Sequence, residues 1–124
     1  MTDYEPGVCN IGPAEIARRR DGGVVGLAAG AAVIAAAVGF GLPKPVRLLA
    51  ALPLFGGASG LLQARARFCS GFGLRGLANF ADLGRSTAVE DAEDRAADRA
   101  KALRILGAAT AVGAGGAALS LLLP

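Results

Sequence analysis

Apolar and polar positions along the chain separate into blocks rather than alternating. No Asp, Glu, Lys or Arg occurs from Gly22 to Leu42, from Leu48 to Leu62, or from Ile105 to Leu123. The first run, at about 1.5 Å of rise per residue, spans the roughly 30 Å hydrocarbon core of a bilayer. The second is shorter; with Val46 and Ala64 included, and Arg47 snorkelling to the headgroups, it spans as well. A re-entrant segment is the alternative for this run. Pro43-Lys44-Pro45 leaves room only for an antiparallel return, and Pro53 is expected to kink the returning helix. The pattern predicts an all-α integral membrane protein with three transmembrane helices, a hairpin over 22–64 plus a third helix with a cytoplasmic extension.

Small residues recur at four-residue spacing inside these runs: Gly22, Gly26 and Gly30; Gly56 and Gly60; Gly107, Ala111 and Gly115. Such spacing lays a smooth strip along a helix, where another backbone can approach closely. These strips are the expected helix-packing faces, with a partner inside the chain or in another subunit.

Charge sets the orientation. Arg18, Arg19 and Arg20 precede the first run, Arg65 and Arg67 follow the second, and Arg99, Lys101 and Arg104 precede the third. The positive-inside rule gives N-terminus in and C-terminus out, with Arg18, Arg19, Arg20, Arg65 and Arg67 as topology and lipid anchors. The arm over 1–21 is cytoplasmic, with a short helix expected from Pro13. It carries Asp3, Glu5 and Glu15 and no apolar run, so no cleavable signal peptide is expected. The stretch 65–85 places Phe68, Cys69, Phe72, Gly76, Leu77 and Phe80 on a stripe and reads as an interfacial segment. From 86 to 124, a charged helix continues into the third span. Thr87 and Glu90 have capping-box spacing, and Asp91 with Arg95 is an i,i+4 pair.

Composition agrees with that pattern. The chain of 124 residues is 53% hydrophobic, with net charge +3 and mean hydropathy +0.49, too apolar for a soluble domain of this size. The arginines sit beside apolar runs, which favours headgroups over nucleic acid. Ser59, Gln63, Thr110 and Ser120 are the polar residues within the spans, without a carboxylate to carry protons or cations. No histidine and two cysteines exclude a four-ligand Cys/His zinc site in one chain. No cofactor or metal is expected.

Cys9 and Cys69 are the remaining candidate chemistry. A hairpin brings both to the cytoplasmic mouth among arginines that favour thiolate. They read as a redox, sulfur or metal-handling thiol pair, or as small apolar side chains packed under the interface.

The succession Asn10-x-Gly12, Arg18-Arg19, a small-residue helix, a Pro-containing turn, and Gly57-x-x-Gly60 before Phe68-Cys69 resembles the YgaP-like transmembrane domain. That family is a two-helix bacterial inner-membrane hairpin, sometimes fused to rhodanese domains. The resemblance covers about residues 10–72 and implies a hairpin that oligomerises through small-residue faces. Ser70 stands where the family has proline after the cysteine, and this chain adds the helix from Ser86 to Leu123. The expected function is that of a small non-enzymatic protein of the bacterial cytoplasmic membrane, self-associating or an accessory subunit of a larger complex. A membrane thiol protein using Cys9 and Cys69 is the alternative.

Overall fold

The first apolar run is the inner part of a longer helix. In the computed structural model, which describes residues 4–124, α1 runs Pro13–Gly39, with Pro13 at its start and Glu15 in its first turn. The return begins as a 3-10 helix, Lys44–Ala50, and continues as α2, Ala51–Ala66. Pro53 does not kink a helix: it falls in the first turn of α2, where a missing N–H breaks no intrahelical bond. After α2 come a short helix α3, Ser70–Arg75, and a two-residue antiparallel pair, β1 (Leu77–Ala78) with β2 (Thr87–Ala88). The third long helix, α4, runs Ala92–Ser120. All three long helices, counting the 3-10 lead-in to α2, have the length and hydropathy to cross a membrane.

Packing is in file: α2 lies between α1 and α4. α1 and α2 approach through glycine backbones. A Cβ on Gly26 would stand 2.6 Å from the amide nitrogen of Gly57, and one on Gly60 would stand 2.6 Å from the carbonyl oxygen of Arg19. Gly23 and Gly30 complete the α1 side, against Leu61 and Leu54. α4 meets α2 at Gly113, where a Cβ would lie 2.8 Å from the carbonyl oxygen of Ala51. Within the chain the strips are therefore shifted: Gly26, Gly30 and Gly60 pack, whereas Gly22, Gly56, Gly107 and Gly115 face open space. The reason is helical pitch. At 3.6 residues per turn, spacing of three then four (Gly23, Gly26, Gly30) stays on one straight face, while strict fours drift off it.

A polar layer closes the arginine-rich end. The N-terminal arm crosses it, pinned to α4 by Asp98, which is fully buried and accepts from Tyr4 Oη at 2.7 Å and the Gly7 amide at 2.8 Å. Burial first, then the Asp98 carboxylate, pushes the Tyr4 phenol above its ordinary range, so it remains a donor. Asn10 is the hub beyond it. Its amide donates to the carbonyl of Arg67 at 3.1 Å, its carbonyl accepts from the Asn79 amide at 2.9 Å, and its side chain bonds both backbone groups of Cys69. Gly12 then passes under Phe80, where a Cβ would meet the Phe80 Cα at 3.0 Å.

Several local expectations change. α4 begins at Ala92, not at Thr87, because Asp91 caps it by accepting from the Glu93 and Asp94 amides. Thr87 is in β2 and donates to the Ala78 carbonyl. Arg95 turns back onto the carbonyls of Val89 and Glu90 instead of pairing with Asp91. Phe68 is not at the lipid interface: α2 ends in a left-handed turn at Arg67, φ 54°, which drives Phe68 into the core against Ala102 and Ile105. Arg47 does not snorkel. It is 3% exposed and donates to the carbonyls of Ser120, Leu123 and Pro124, at the end of α4 remote from the arginine-rich layer. Thr110 behaves as an isolated membrane hydroxyl should, bonding the carbonyl of Leu106 one turn back.

Candidate functional site: a guanidinium-held thiol in an interfacial groove

Cys69 sits where the left-handed end of α2 turns into α3. Its backbone is extended, φ −94° and ψ 118°, and its amide donates to Asn10 Oδ1 at 2.6 Å, while its carbonyl accepts from Asn10 Nδ2 at 3.1 Å. With both backbone groups fixed by one side chain, the Sγ direction is set. Sγ accepts from Arg19 Nη2 at 2.8 Å and from the Phe72 amide at 3.4 Å. A charged donor at this distance fixes the position of the sulfur.

Arg19 is itself held from behind. Its Nη1 donates to Glu15 Oε1 at 2.6 Å, one turn back on α1. Glu15 is 2% exposed, and its other oxygen accepts from Asn79 Nδ2 at 3.0 Å. Arg19, expected as a lipid anchor, is here the third member of a relay, Asn79–Glu15–Arg19–Cys69, with its side chain 16% exposed. A second amide steadies the assembly from α2: Gln63 Oε1 accepts from the Ser70 amide at 2.9 Å and from Arg19 Nε at 3.4 Å, while Gln63 Nε2 donates to Ser59 Oγ at 2.7 Å. Two guanidiniums lie over the Phe72 ring, Arg19 at 5.7 Å and Arg75 at 5.5 Å from its centroid. The Ser70 hydroxyl is buried and lacks a partner among the described residues.

The thiol opens onto a groove of about 820 Å³ between α1 and α2. Arg18, Arg75 and Arg85 line its polar end; Val25, Phe55 and Gly56 line the part that runs down the α1–α2 pair.

The two cysteines lie in the same layer, joined through Asn10, which follows Cys9 and binds Cys69. Both are buried and no disulfide links them. Only Cys69 lines the groove; Cys9 closes a turn, its backbone exchanging hydrogen bonds with Glu5. The described residues contain no cluster of three His, Cys, Asp or Glu able to hold a metal ion. Arg18, Arg20, Arg65 and Arg67 are exposed.

Glu15, Gln63 and Asn79 went unread in the sequence as parts of this site. Gln63 carried a faint signal, being an amide among apolar neighbours. Asn79 carried none, since it reaches Glu15 across 64 positions. Comparison with protein-family models, curated sequences and solved structures finds no match to this chain.

Proposed function

We propose that this small integral membrane protein is a thiol protein of the bacterial cytoplasmic membrane, using Cys69 to handle redox or sulfur equivalents at the cytoplasmic face. The observation that carries the reading is the 2.8 Å contact from Arg19 Nη2 to Cys69 Sγ, backed by buried Glu15. Cys9 serves as support on this reading, not as a second reacting thiol. The chemistry is thiolate exchange: Sγ attacks one sulfur of a disulfide or persulfide, a new S–S bond forms, and the other sulfur departs as a thiolate. Asn10 orients Cys69, Gly12 lets the arm pass Phe80, and Arg19 holds the sulfur.

Alkylation of the purified protein by iodoacetamide at pH 7 tests the proposal. Cys69 is expected to react in wild type and in Cys9→Ser, and Arg19→Gln, which removes the guanidinium donor to Sγ, to slow it several-fold. Arg19→Lys should restore part of the rate. An Arg19→Gln rate equal to wild type, or labelling confined to Cys9, overturns it.

A second reading, self-association or accessory packing, rests on α4. Gly107, Ala111 and Gly115 lie away from the buried face made by Ala102, Ala109, Gly113 and Ala117, and a Cβ at Gly107 or Gly115 meets nothing. This strip is available to a second copy. Gly107→Leu with Gly115→Leu is expected to leave the helices intact and reduce oligomer size in mild detergent; unchanged size refutes it.

A further inference from the structure

The groove beside Cys69 combines two surfaces that a soluble ligand does not need together. At its polar end three guanidiniums are exposed and lightly engaged. Arg18 comes no closer than 4.0 Å to Glu15, which is already bound by Arg19 and Asn79. Among the described residues, Arg75 spends only Nε on a protein acceptor, the carbonyl of Gly71. Among the described residues, the Arg85 guanidinium donates to none. Glu15 is the sole carboxylate in the lining, so the charge at this end is strongly positive.

Below the arginines the groove runs along the membrane face of the α1–α2 pair. Its lining on α2 extends from Gln63 to Pro53, about 15 Å at helical rise. Val25 is 67% exposed beside it, and Gly56 bears no side chain to fill it. Cationic head and apolar trough together match one class of molecule, a phosphate ester attached to a hydrocarbon chain.

We infer that this groove binds one anionic phospholipid, with its phosphate diester on Arg18, Arg75 and Arg85 and an acyl chain lying along Val25, Phe55 and Gly56. Guanidinium forks match phosphate oxygens in a bidentate manner, and at the membrane surface each is attracted by anionic headgroups. The lipid would wall the outer side of the groove along its apolar length. The inference does not depend on thiol chemistry: no part of the lipid is required to touch Sγ.

Native mass spectrometry of the full chain released from nanodiscs tests it. Nanodiscs of phosphatidylglycerol should yield chains retaining one lipid, and those of phosphatidylcholine should not. Arg75→Gln with Arg85→Gln, both exposed positions, should lower phosphatidylglycerol retention at least ten-fold. Gly56→Phe should lower it as well, by filling the trough where a Cβ meets no neighbour. Inorganic phosphate at millimolar concentration should not displace the lipid. Equal retention of the two lipids, or retention unchanged in both variants, overturns the proposal. Displacement by phosphate alone overturns the acyl-chain half and leaves a headgroup site. Cys69→Ser is expected to retain the lipid as wild type does, so failure of the thiol reading and failure of this one give different results.

Discussion

Leucine at Gly26 is expected to prevent the α1–α2 pair from forming, whereas leucine at Gly56 is expected to be tolerated. At Gly26 the first added carbon alone would stand 2.6 Å from the Gly57 nitrogen and 2.7 Å from the Gly57 Cα. Neither is the tip of a flexible side chain that can swing aside. The reciprocal change, Gly57→Leu, meets the Leu27 nitrogen at 2.5 Å. Because both walls are backbone, the helices must separate along their length, and the contacts at Gly23, Gly30 and Gly60 go with them. Ordinary overpacking costs about 1–3 kcal/mol; with no side chain to yield, the cost here should exceed about 4 kcal/mol. Gly56 has open space beyond its Cα, so a leucine there is expected within about 0.5 kcal/mol of wild type. Unfolding in mixed micelles at increasing denaturing-detergent fraction measures both. Comparable stability of the two variants would contradict the packing.

That contrast shows what the sequence made legible. Charge-free runs and arginine blocks are one-dimensional properties, so the three helices, their order and the arginine-rich end followed directly from them. Which glycines touch is a question of rotation about a helix axis. The four-residue spacing of Gly22, Gly26 and Gly30 is visible by eye, yet the contact face includes Gly23, one position away. Similarly, Thr87 and Glu90 have the spacing of a cap, but Thr87 is taken up by the β1–β2 pair, and Asp91 is the first free acceptor before the helix.

The site was half legible for a related reason. Cys69 and Arg19 stood out by type and by their proximity to the mouth of the hairpin. Glu15 was visible in the sequence only as one of the acids of the N-terminal arm, two positions after Pro13. Its burial and its bond to Asn79 depend on the path of the arm and of the 76–80 turn, which no local pattern encodes. The cysteine pair was read from topology alone. Topology brings Cys9 and Cys69 into one layer, but side-chain direction separates their roles, since only Cys69 faces the groove.

Removal of Arg47 should weaken the far end of the protein more than removal of any exposed arginine. A helix leaves its last carbonyls without intrahelical donors, and at a membrane boundary water meets that need poorly. Here Arg47 supplies donors to Ser120 at 2.7 Å, Leu123 at 2.9 Å and Pro124 at 3.0 Å, and Lys44 reaches Leu121 at 3.2 Å. The charge also complements the negative end of the α4 dipole. Arg47→Ala leaves the Ser120 carbonyl buried without its side-chain donor and frees the residues after it. The Ser120 carbonyl keeps the Leu123 amide at 3.2 Å, so what is lost is the charged hydrogen bonds themselves, and at about 1.5–3 kcal/mol for a bond to a charged group a loss of roughly 3 kcal/mol is expected. Arg47→Lys places one donor set in the same region and should recover part of it, though a single ammonium does not span three carbonyls. Arg65→Ala, at an exposed position, should cost less than about 0.5 kcal/mol. The same mixed-micelle unfolding reads the stabilities, and limited carboxypeptidase digestion reads the local loosening after Ser120. An Arg47→Ala variant as stable as Arg65→Ala, with an equally resistant end, would return Arg47 to the headgroup role its sequence position first suggested.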